Sequence, residues 1–291
     1  MIVKLLIEKG ANVNAQGGKY DNALQAASSR GHEVIVKLLI EKGVDVKAQG
    51  GKYGNALQAA SFRGHEVIVK LLIEKGAGVN AQGGEYCNAL QAACSGGHEV
   101  IVKLLIEKGA DVNVQGGKYD NALQAASFRG YEVIVKLLIQ KGVDVYVQGG
   151  FYGNALQAAS SQGHEVMVKL LIEKGVDVNA QGGFFGNALQ AASLKGHEVI
   201  VKLLIEKVAD MSAQGGEYGN ALQAASFRGH EVIVKLLIEK GADVNAQGGE
   251  YGNALQAASF GGHEVIVKLL IEKGVDVNAQ ENMGMHSRQH L

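Results

Sequence analysis

Seven histidines have the side chain best suited to metal binding or proton transfer in this sequence, because an imidazole can ligate a metal ion and titrates near neutral pH. All seven occupy one equivalent position in a repeated unit of 33 residues, with Tyr131 in the remaining copy. A metal ion needs converging ligands about 2 Å away, whereas successive copies of one position lie a full helix spacing apart. We therefore predict structural residues at the start of a helix, and no metal site, for His32, His65, His98, His164, His197, His230 and His263.

Other groups with catalytic potential also belong to the repeated framework. The carboxylates of Glu33 and Glu41 lie on a charged stripe that we expect to face solvent, so they line no cleft. The Gly-Gly pairs precede no GxxxxGKS, GxxxxGKT or GxGxxG phosphate-binding motif at the start of a helix. The sequence therefore predicts a protein that is not an enzyme and that has no cofactor.

Charge and composition argue against several classes of partner. The net charge of −1 lacks the basic excess expected of a nucleic-acid-binding protein, and it argues against binding to an anionic membrane surface. Lysines such as Lys37 interrupt every apolar run, so no segment has transmembrane length. Met1 leads directly into helix sequence, so we expect no signal peptide.

Two cysteines, Cys87 and Cys94, fall in one unit and have no counterparts in the other copies. This pattern favours reduced thiols in an intracellular protein, with a local disulfide as the alternative. We expect a cytoplasmic location, with a nuclear one left open, and no small-molecule substrate.

The positions of these residues are set by an internal repeat. The phrase Asn-Ala-Leu-Gln-Ala-Ala starts at Asn22 and returns intact every 33 residues up to Asn253, which makes eight units over residues 17–280. A fixed period of this size indicates a solenoid of stacked units, none of which can bury its apolar face alone. Residues 1–16 match only the second half of a unit, and residues 281–291 form a non-repeat tail. We expect a segment of a longer array or a truncated gene product; the alternative is that the ends fray or self-associate.

Each unit predicts two helices. Asn22 can cap the first helix with its side-chain oxygen, Gln25 can reach back to complete a capping box, and Gly31 ends this short helix. The second helix runs from about residue 32 to Lys42, where Gly43 ends it.

The second helix is charged only at every fourth residue, along one narrow stripe. The other positions are apolar, so we expect burial on several sides with the stripe as the solvent-exposed side. The Gly-rich connection to the next unit suits a hairpin-like finger. The predicted fold class is an all-α repeat solenoid of stacked helix-turn-helix units with β-hairpin-like fingers.

The unit resembles the ankyrin repeat. The family pattern GHxxxVxLLxxGADVNA is matched almost residue for residue by Gly229 to Ala246, and the resemblance extends over all eight units and the partial one. Asn-Ala-Leu-Gln replaces the usual Thr-Pro-Leu-His, and Asn and Gln can cap in their place. The variant GGxYGNALQAAS resembles ankyrin arrays of filamentous fungi, which often follow a nucleotide-binding signalling domain.

The copies differ mainly at four positions. In the first repeat, the fingertip position is Lys19, the finger-end position is Asp21, the helix-end position is Ser29, and the arginine position is Arg30. In the ankyrin family such positions line the concave face that binds proteins, and Phe-Arg pairs are typical of binding hot spots. Drift at unconstrained exposed sites is the alternative. The resemblance suggests these partner-binding candidates: Lys52, Phe62, Arg63, Lys118, Asp120, Phe128, Arg129, Phe151, Glu217, Phe227, Arg228, Glu250 and Phe260.

Two further features lead to structural predictions. A nearly constant aromatic residue, which is Tyr53 in the second repeat, is expected to pack at the base of each finger. Val208 replaces a helix-ending glycine, and Met211 and Ser212 replace the usual Val-Asn, so we predict a local weak point there.

The leading hypothesis is a non-enzymatic scaffold that binds a protein or peptide on its concave face. The alternative is the ligand-sensing arm or a fragment of a fungal nucleotide-binding signalling ATPase of the NACHT type, as part of a larger multidomain chain. A spacer without a specific ligand is the third possibility.

Overall fold

A computed structural model describes residues 2–279, and these contain seventeen α-helices and no strand. The tail predicted at 281–291 lies outside the described residues. After α1, helices of the first type alternate with helices of the second type at the expected spacing, which confirms the repeat solenoid. The helices are α1 Ile2–Glu8, α2 Ala23–Arg30, α3 Glu33–Glu41, α4 Ala56–Arg63, α5 Glu66–Glu74, α6 Ala89–Gly96, α7 Glu99–Glu107, α8 Ala122–Arg129, α9 Glu132–Gln140, α10 Ala155–Gln162, α11 Glu165–Glu173, α12 Ala188–Lys195, α13 Glu198–Glu206, α14 Ala221–Arg228, α15 Glu231–Glu239, α16 Ala254–Phe260 and α17 Glu264–Glu272.

The chain divides into two compact parts, residues 1–151 and residues 152–291, each built from several 33-residue repeats. These parts are called the first unit and the second unit, and the 33-residue elements are called repeats. In the first unit, α2, α4, α6 and α8 pack side by side, and each contacts the second helix of its own repeat. In the second unit, α10, α12, α14 and α16 do the same. The alanines of these short helices, such as Ala59 and Ala60, are fully buried, which lets neighbouring helix backbones approach closely.

The caps of the first helices follow the prediction. Asn55 Oδ1 accepts a hydrogen bond of 2.9 Å from the amide of Gln58, and the same contact occurs at every first helix of the described chain. Gly64 then ends α4 in the left-handed conformation with φ 81°. The helix α16 is an exception, because it ends at Phe260 and the left-handed residue is Gly262.

The glutamine side chain differs from the prediction. A complete capping box is present at α14 and α16, whereas the Gln58 side chain of α4 points to the next repeat. Its Nε2 donates to the carbonyl oxygens of Ala81, Gly83 and Cys87 at 3.2, 3.2 and 2.7 Å. The capping box predicted from Gln25 is therefore wrong at α2, where neither side-chain amide atom has a hydrogen-bond partner in the part of the chain that the structure describes, and at α4, where the amide donates to buried carbonyls of the following finger.

The histidines have the predicted structural role. His98 precedes α7 as its N-cap residue, and its Nε2 donates to the carbonyl oxygen of Phe62 at 2.9 Å. The ring lies against Gly64, where an added Cβ would sit 2.5 Å from the imidazole. Each such histidine therefore joins the second helix of its own repeat to the end of the first helix of the preceding repeat. The same contact is made by His65, His197, His230 and His263.

The burial of the second helices agrees with the prediction only in part. Ile68, Val69 and Leu72 of α5 are fully buried, but Val67 is 48% exposed. The equivalent valines of the other second helices are exposed as well, so the prediction that only the charged stripe faces solvent is wrong at this position. The reason is helical geometry, since Val67 precedes Lys70 by three residues and lies beside it on the same face.

The fingers are compact turns rather than paired strands. In the second repeat the amide of Gly50 donates to the carbonyl oxygen of Gly54 at 2.8 Å, and these two residues form an antiparallel bridge. Successive fingers of one unit are joined at the fingertip, where the amide of Glu85 donates to the carbonyl oxygen of Lys52 at 2.9 Å. This contact keeps the fingertip residues of neighbouring repeats in register.

The loop after each second helix also joins neighbouring repeats. Asn113 Oδ1 accepts from the amide of Asp144 at 2.8 Å, and equivalent asparagines make the same contact elsewhere. Ser212 occupies this position in its repeat, and its hydroxyl donates instead to Asp210 within its own loop at 2.6 Å. Four residues earlier, Val208 has φ 64°. The strained backbone and the changed contact coincide in one loop.

We expect Val208→Gly to raise the free energy of unfolding by about 1 kcal/mol, because a β-branched residue at positive φ is strained. The matched control is Gly241→Val, which should lower it by a similar amount, since Gly241 has φ 93° and open space around its Cβ position. Amide hydrogen exchange in the wild type should be faster at 209–213 than at 242–246. Equal protection of the two loops, or no effect of Val208→Gly, would contradict this assignment.

Candidate functional site

Two rows of variable residues lie beside each other in each unit. The fingers supply the fingertip row, and the last turns of the first helices supply the helix-end and arginine positions. The two rows meet where Arg63 Nη2 donates to the Tyr53 hydroxyl at the base of the finger, at 3.1 Å. We call this surface the variable face.

An aromatic ladder supports the variable face, as predicted. In the first unit the Tyr53 ring lies 6.2 Å from that of Tyr20 and 6.4 Å from that of Tyr86, and both pairs are stacked. Tyr53, Tyr86 and Tyr119 are buried. In the second unit Tyr218 and Tyr251 stack at 6.1 Å. The ladder is the packed base of the fingers, and it aligns one finger with the next.

Three of the candidate phenylalanines pack against tyrosines of the ladder. Phe62 is half-buried, and its ring stacks on Tyr86 of the next repeat at 4.5 Å. Phe227 stacks in the same way on Tyr251 at 4.6 Å, and Phe128 packs against Tyr119 at 5.4 Å. The helix-end position therefore joins neighbouring repeats as well as offering an aromatic edge. Phe260 differs, because it is 70% exposed.

The arginines are held over these rings. The guanidinium carbon of Arg63 lies 5.4 Å from the centre of the Phe62 ring, and Arg129 and Arg228 lie at 5.8 and 5.2 Å from Phe128 and Phe227. All three arginines are exposed. A cation over an aromatic face is attracted by the ring quadrupole, so each guanidinium is presented in a fixed orientation.

Charged fingertips of the first unit form a chain of ion pairs. Glu85 lies between two lysines, with Lys52 Nζ at 3.0 Å and Lys118 Nζ at 3.3 Å from its carboxylate oxygens. Burial alone would raise the pKa of Glu85, but the hydrogen bonds from both lysines outweigh it and hold the pKa below its usual range. The hydrogen bond to Glu85 raises the pKa of Lys52. One carboxylate therefore pairs with both candidate lysines, which leaves a net charge of +1 on the three side chains.

The finger-end position is not an open contact site. Asp120 has φ 70°, and its carboxylate lies under the next finger, where a Cβ added to Gly149 would sit 2.7 Å from it. Cys87 occupies the same position in its repeat and is buried. Variation here follows the packing of one finger on the next.

Both cysteines are free thiols, in agreement with the prediction. Burial raises the pKa of the Cys87 thiol, and the fully buried Cys94 is affected in the same direction. Cys94 occupies a helix position that is a buried serine, such as Ser61, in most other repeats. A thiol accepts burial more readily than a hydroxyl, so Cys94 has a structural place in the core.

Like charges meet at the fingertips of the second unit. The amide of Glu250 donates to the carbonyl oxygen of Glu217 at 2.9 Å, which sets the two side chains next to each other. Burial, followed by the charge of Glu250, raises the pKa of Glu217. The fingertips of the two units thus differ in charge, since a carboxylate between two lysines in one corresponds to a carboxylate pair in the other.

Two further aromatic residues are exposed, the candidate Phe151 at a fingertip and Tyr146 in the loop after a second helix. Phe151, at the end of the first unit, is 53% exposed. In the second unit Phe184 packs edge-on against Tyr218 at 6.1 Å. Tyr146 is exposed and was not among the predicted residues. The signal that could have identified it is an aromatic residue at a position that is otherwise mostly asparagine.

Within residues 2–279, no group of three His, Cys, Asp or Glu side chains could hold a metal ion. None of the helices in this range is long and apolar enough to cross a bilayer.

Comparison with known proteins agrees with the repeat solenoid described above. A family model described as ankyrin repeats (3 copies) matches residues 1–83, 57–149, 125–215 and 189–281. Among the solved structures that match is the crystal structure of the human ASB11 ankyrin repeat domain. It aligns with a TM-score of 0.63 and 25% sequence identity, over 74% of this chain and 97% of that domain. A search of curated proteins found no match.

The two fingertip carboxylates lead to opposite pH dependences. Because the folded state raises the pKa of Glu217, the folded protein gains stability from its protonation and loses it as pH rises above about 4.3, the usual glutamate value. Glu217→Gln should therefore raise stability at pH 7 by about 0.5 kcal/mol or less, as for exposed charges, and the gain should vanish towards pH 4.

The matched control is Glu85→Gln, for which the sign is reversed. Its folded-state pKa is lowered, so its contribution is present above the usual pKa and lost as pH falls through the folded value. Glu85→Gln should lower stability at neutral pH and have no effect in acid. Thermal unfolding of both variants from pH 2 to 7 checks this, and curves that move in the same direction would contradict it.

Proposed function

Because this chain belongs to the ankyrin repeat family, we propose that it is a non-enzymatic scaffold that binds a protein or peptide along its variable face. Ankyrin repeats are in general protein–protein interaction modules, and their fold is a scaffold type that is not enzymatic. In the family the positions of this face are concave, and we expect the same here. The two free thiols are consistent with a cytoplasmic protein.

One observation supports the proposal most directly: a constant frame presents changing side chains. Gln157 and Gln190 each donate to three carbonyl oxygens of the next finger, at the same positions as Gln58. The fingertips above those contacts change between lysine, glutamate and phenylalanine. Selection for the fold alone would not require such variety, whereas recognition of a partner would.

The exposed arginines and aromatic edges have the chemistry of binding hot spots. Arg and aromatic residues are enriched among the side chains that dominate interface energies. Arg63 and Arg129 are oriented by the rings beneath them, so less conformational entropy is lost when they bind. Outside the Glu85 ion pairs, the exposed candidates are Arg63, Arg129, Arg228, Phe151, Glu250 and Phe260, and Phe62, Phe128 and Phe227 are partly exposed beside them.

A second candidate function rests on the repeat variant. The GGxYGNALQAAS sequence resembles the arrays that follow nucleotide-binding signalling domains in fungi, so the chain would be the ligand-sensing arm of a NACHT-type ATPase. Genomic sequence ahead of Met1 distinguishes the two functions. An in-frame Walker motif favours the sensor arm, whereas a promoter at that place favours the separate scaffold.

The proposed function predicts that partner binding depends on the variable face. Arg63, Arg129 and Arg228 are changed together to Gln, which occurs naturally at this position as Gln162. In affinity capture from the source organism, the variant should lose partners by about tenfold or more, as for hot-spot residues. A second variant, with Phe62, Phe128, Phe227 and Phe260 changed to Ser, should behave alike, since Ser95 and Ser161 occupy the same position.

The control variant changes charges on the second helices, with Lys70 and Lys103 replaced by Gln. These lysines pair with Glu66 and Glu99 on the opposite, charged stripe. The control should retain every partner, and all variants should show wild-type unfolding midpoints or small decreases. Equal capture by the wild type and both face variants would favour a spacer without a specific ligand.

A further inference from the structure

The first two repeats contain an exposed cluster of positive charge on aromatic rings. We call it the basic patch, and it consists of Lys19, Tyr20, Arg30, Tyr53, Phe62 and Arg63. Tyr20 and Tyr53 stack at 6.2 Å, and Tyr53 lies 5.9 Å from Phe62. Lys19 Nζ lies 5.8 Å from the Tyr20 ring, and Arg63 lies over Phe62 and donates to the Tyr53 hydroxyl. The rings and the cations of Lys19 and Arg63 therefore form one connected cluster, in which the cations are exposed and Tyr53 is buried.

Lys19, Arg30 and Arg63 form no ion pair with a carboxylate among the described residues. Lys52 and Lys118, in contrast, both pair with Glu85. The nearby Asp21 accepts from Asn22 Nδ2 at 3.3 Å, and its carboxylate lies under the next finger at Gly50. The Ser29 hydroxyl and the positive charges of Lys19, Arg30 and Arg63 hold the pKa of the Tyr20 phenol below its usual value. The positive potential at this place is thus not cancelled within the protein.

The spacing of the arginines indicates what could bind. Arg30 and Arg63 end α2 and α4, which pack side by side, and neighbouring helix axes lie about 8–10 Å apart. A peptide extended in the polyproline II conformation has three residues per turn and advances about 3.1 Å per residue, so acidic side chains three residues apart lie on one face and span the same distance. Guanidinium groups bind carboxylates through two parallel hydrogen bonds, and the half-buried rings of Tyr20 and Phe62 offer apolar surface beside them.

On this geometry, we infer that the basic patch binds an extended acidic segment of a protein partner, with carboxylates three residues apart over Arg30 and Arg63. The inference rests on the proposed function and adds the chemistry of the partner. The second unit gives a natural contrast, because its fingertips Glu217 and Glu250 are acidic. The net charge of −1 for the whole chain does not reveal this local concentration of positive charge.

The test begins with selection of peptides from an unbiased random library by the full chain. Acidic peptides with the predicted spacing should be enriched. Fluorescence anisotropy then compares their affinity for the wild type, for Arg30→Gln with Arg63→Gln, and for the control Lys70→Gln with Lys103→Gln, which removes the same number of positive charges from the second helices. The double variant should bind about tenfold more weakly or worse, the control should bind like the wild type, and binding should weaken with salt.

The outcomes separate the inference from the proposed function. Enriched peptides that are neutral or basic, or acidic peptides that bind the double variant and the wild type equally, would overturn the inference and leave the scaffold function standing. Enrichment of no peptide, combined with partner capture that is insensitive to the variable face, would overturn both. Single-stranded oligonucleotide binding that requires Arg30 and Arg63, without acidic peptide binding, would assign the patch to nucleic acid and also overturn the inference.

Discussion

A buried glutamine amide that reaches from one repeat into the next finger is the contact on which the variable face depends. Gln58 has no exposed surface, so its amide and the finger carbonyls would all be costly to bury without partners. Its Nε2 shares two hydrogens among three of those carbonyls, with the shortest hydrogen bond to Cys87 at 2.7 Å. The finger can close around it because Gly54 has no side chain, since a Cβ there would lie 2.0 Å from Gln58 Oε1. The constant Asn-Ala-Leu-Gln phrase and the glycines of the finger are therefore parts of one interaction.

Much of the fold could be predicted from the sequence because it depends on local rules. The period, the asparagine caps, the helix-ending glycines and the histidine role each follow from a residue type at a fixed place. The direction of the glutamine side chain could not be predicted, because a capping box and a contact with the next finger require the same residue at the same position. The choice is made by carbonyl groups of the following repeat, which belong to tertiary structure.

The candidate site was predictable in outline and not in detail. Variation among the copies identified the fingertip and arginine positions, but it also selected Asp120, whose carboxylate lies under a neighbouring finger. Variation likewise gave no sign that Phe62 stacks on Tyr86 of the next repeat, or that Lys52 and Lys118 share Glu85. Each of these contacts crosses a repeat boundary, and the sequence of one unit does not show what its neighbour places there.

The central claim, that the glutamine amides join the repeats, is tested most directly by the unfolding free energies of two matched variants. Gln157 donates to three carbonyl oxygens, whereas the equally buried Gln25 has no hydrogen-bond partner for its side-chain amide within the described structure. Gln157→Met should lower the unfolding free energy by about 1–3 kcal/mol, because it leaves buried carbonyls unpaired. Gln25→Met should be neutral or stabilising. Equal destabilisation by both variants, or none by Gln157→Met, would contradict the account.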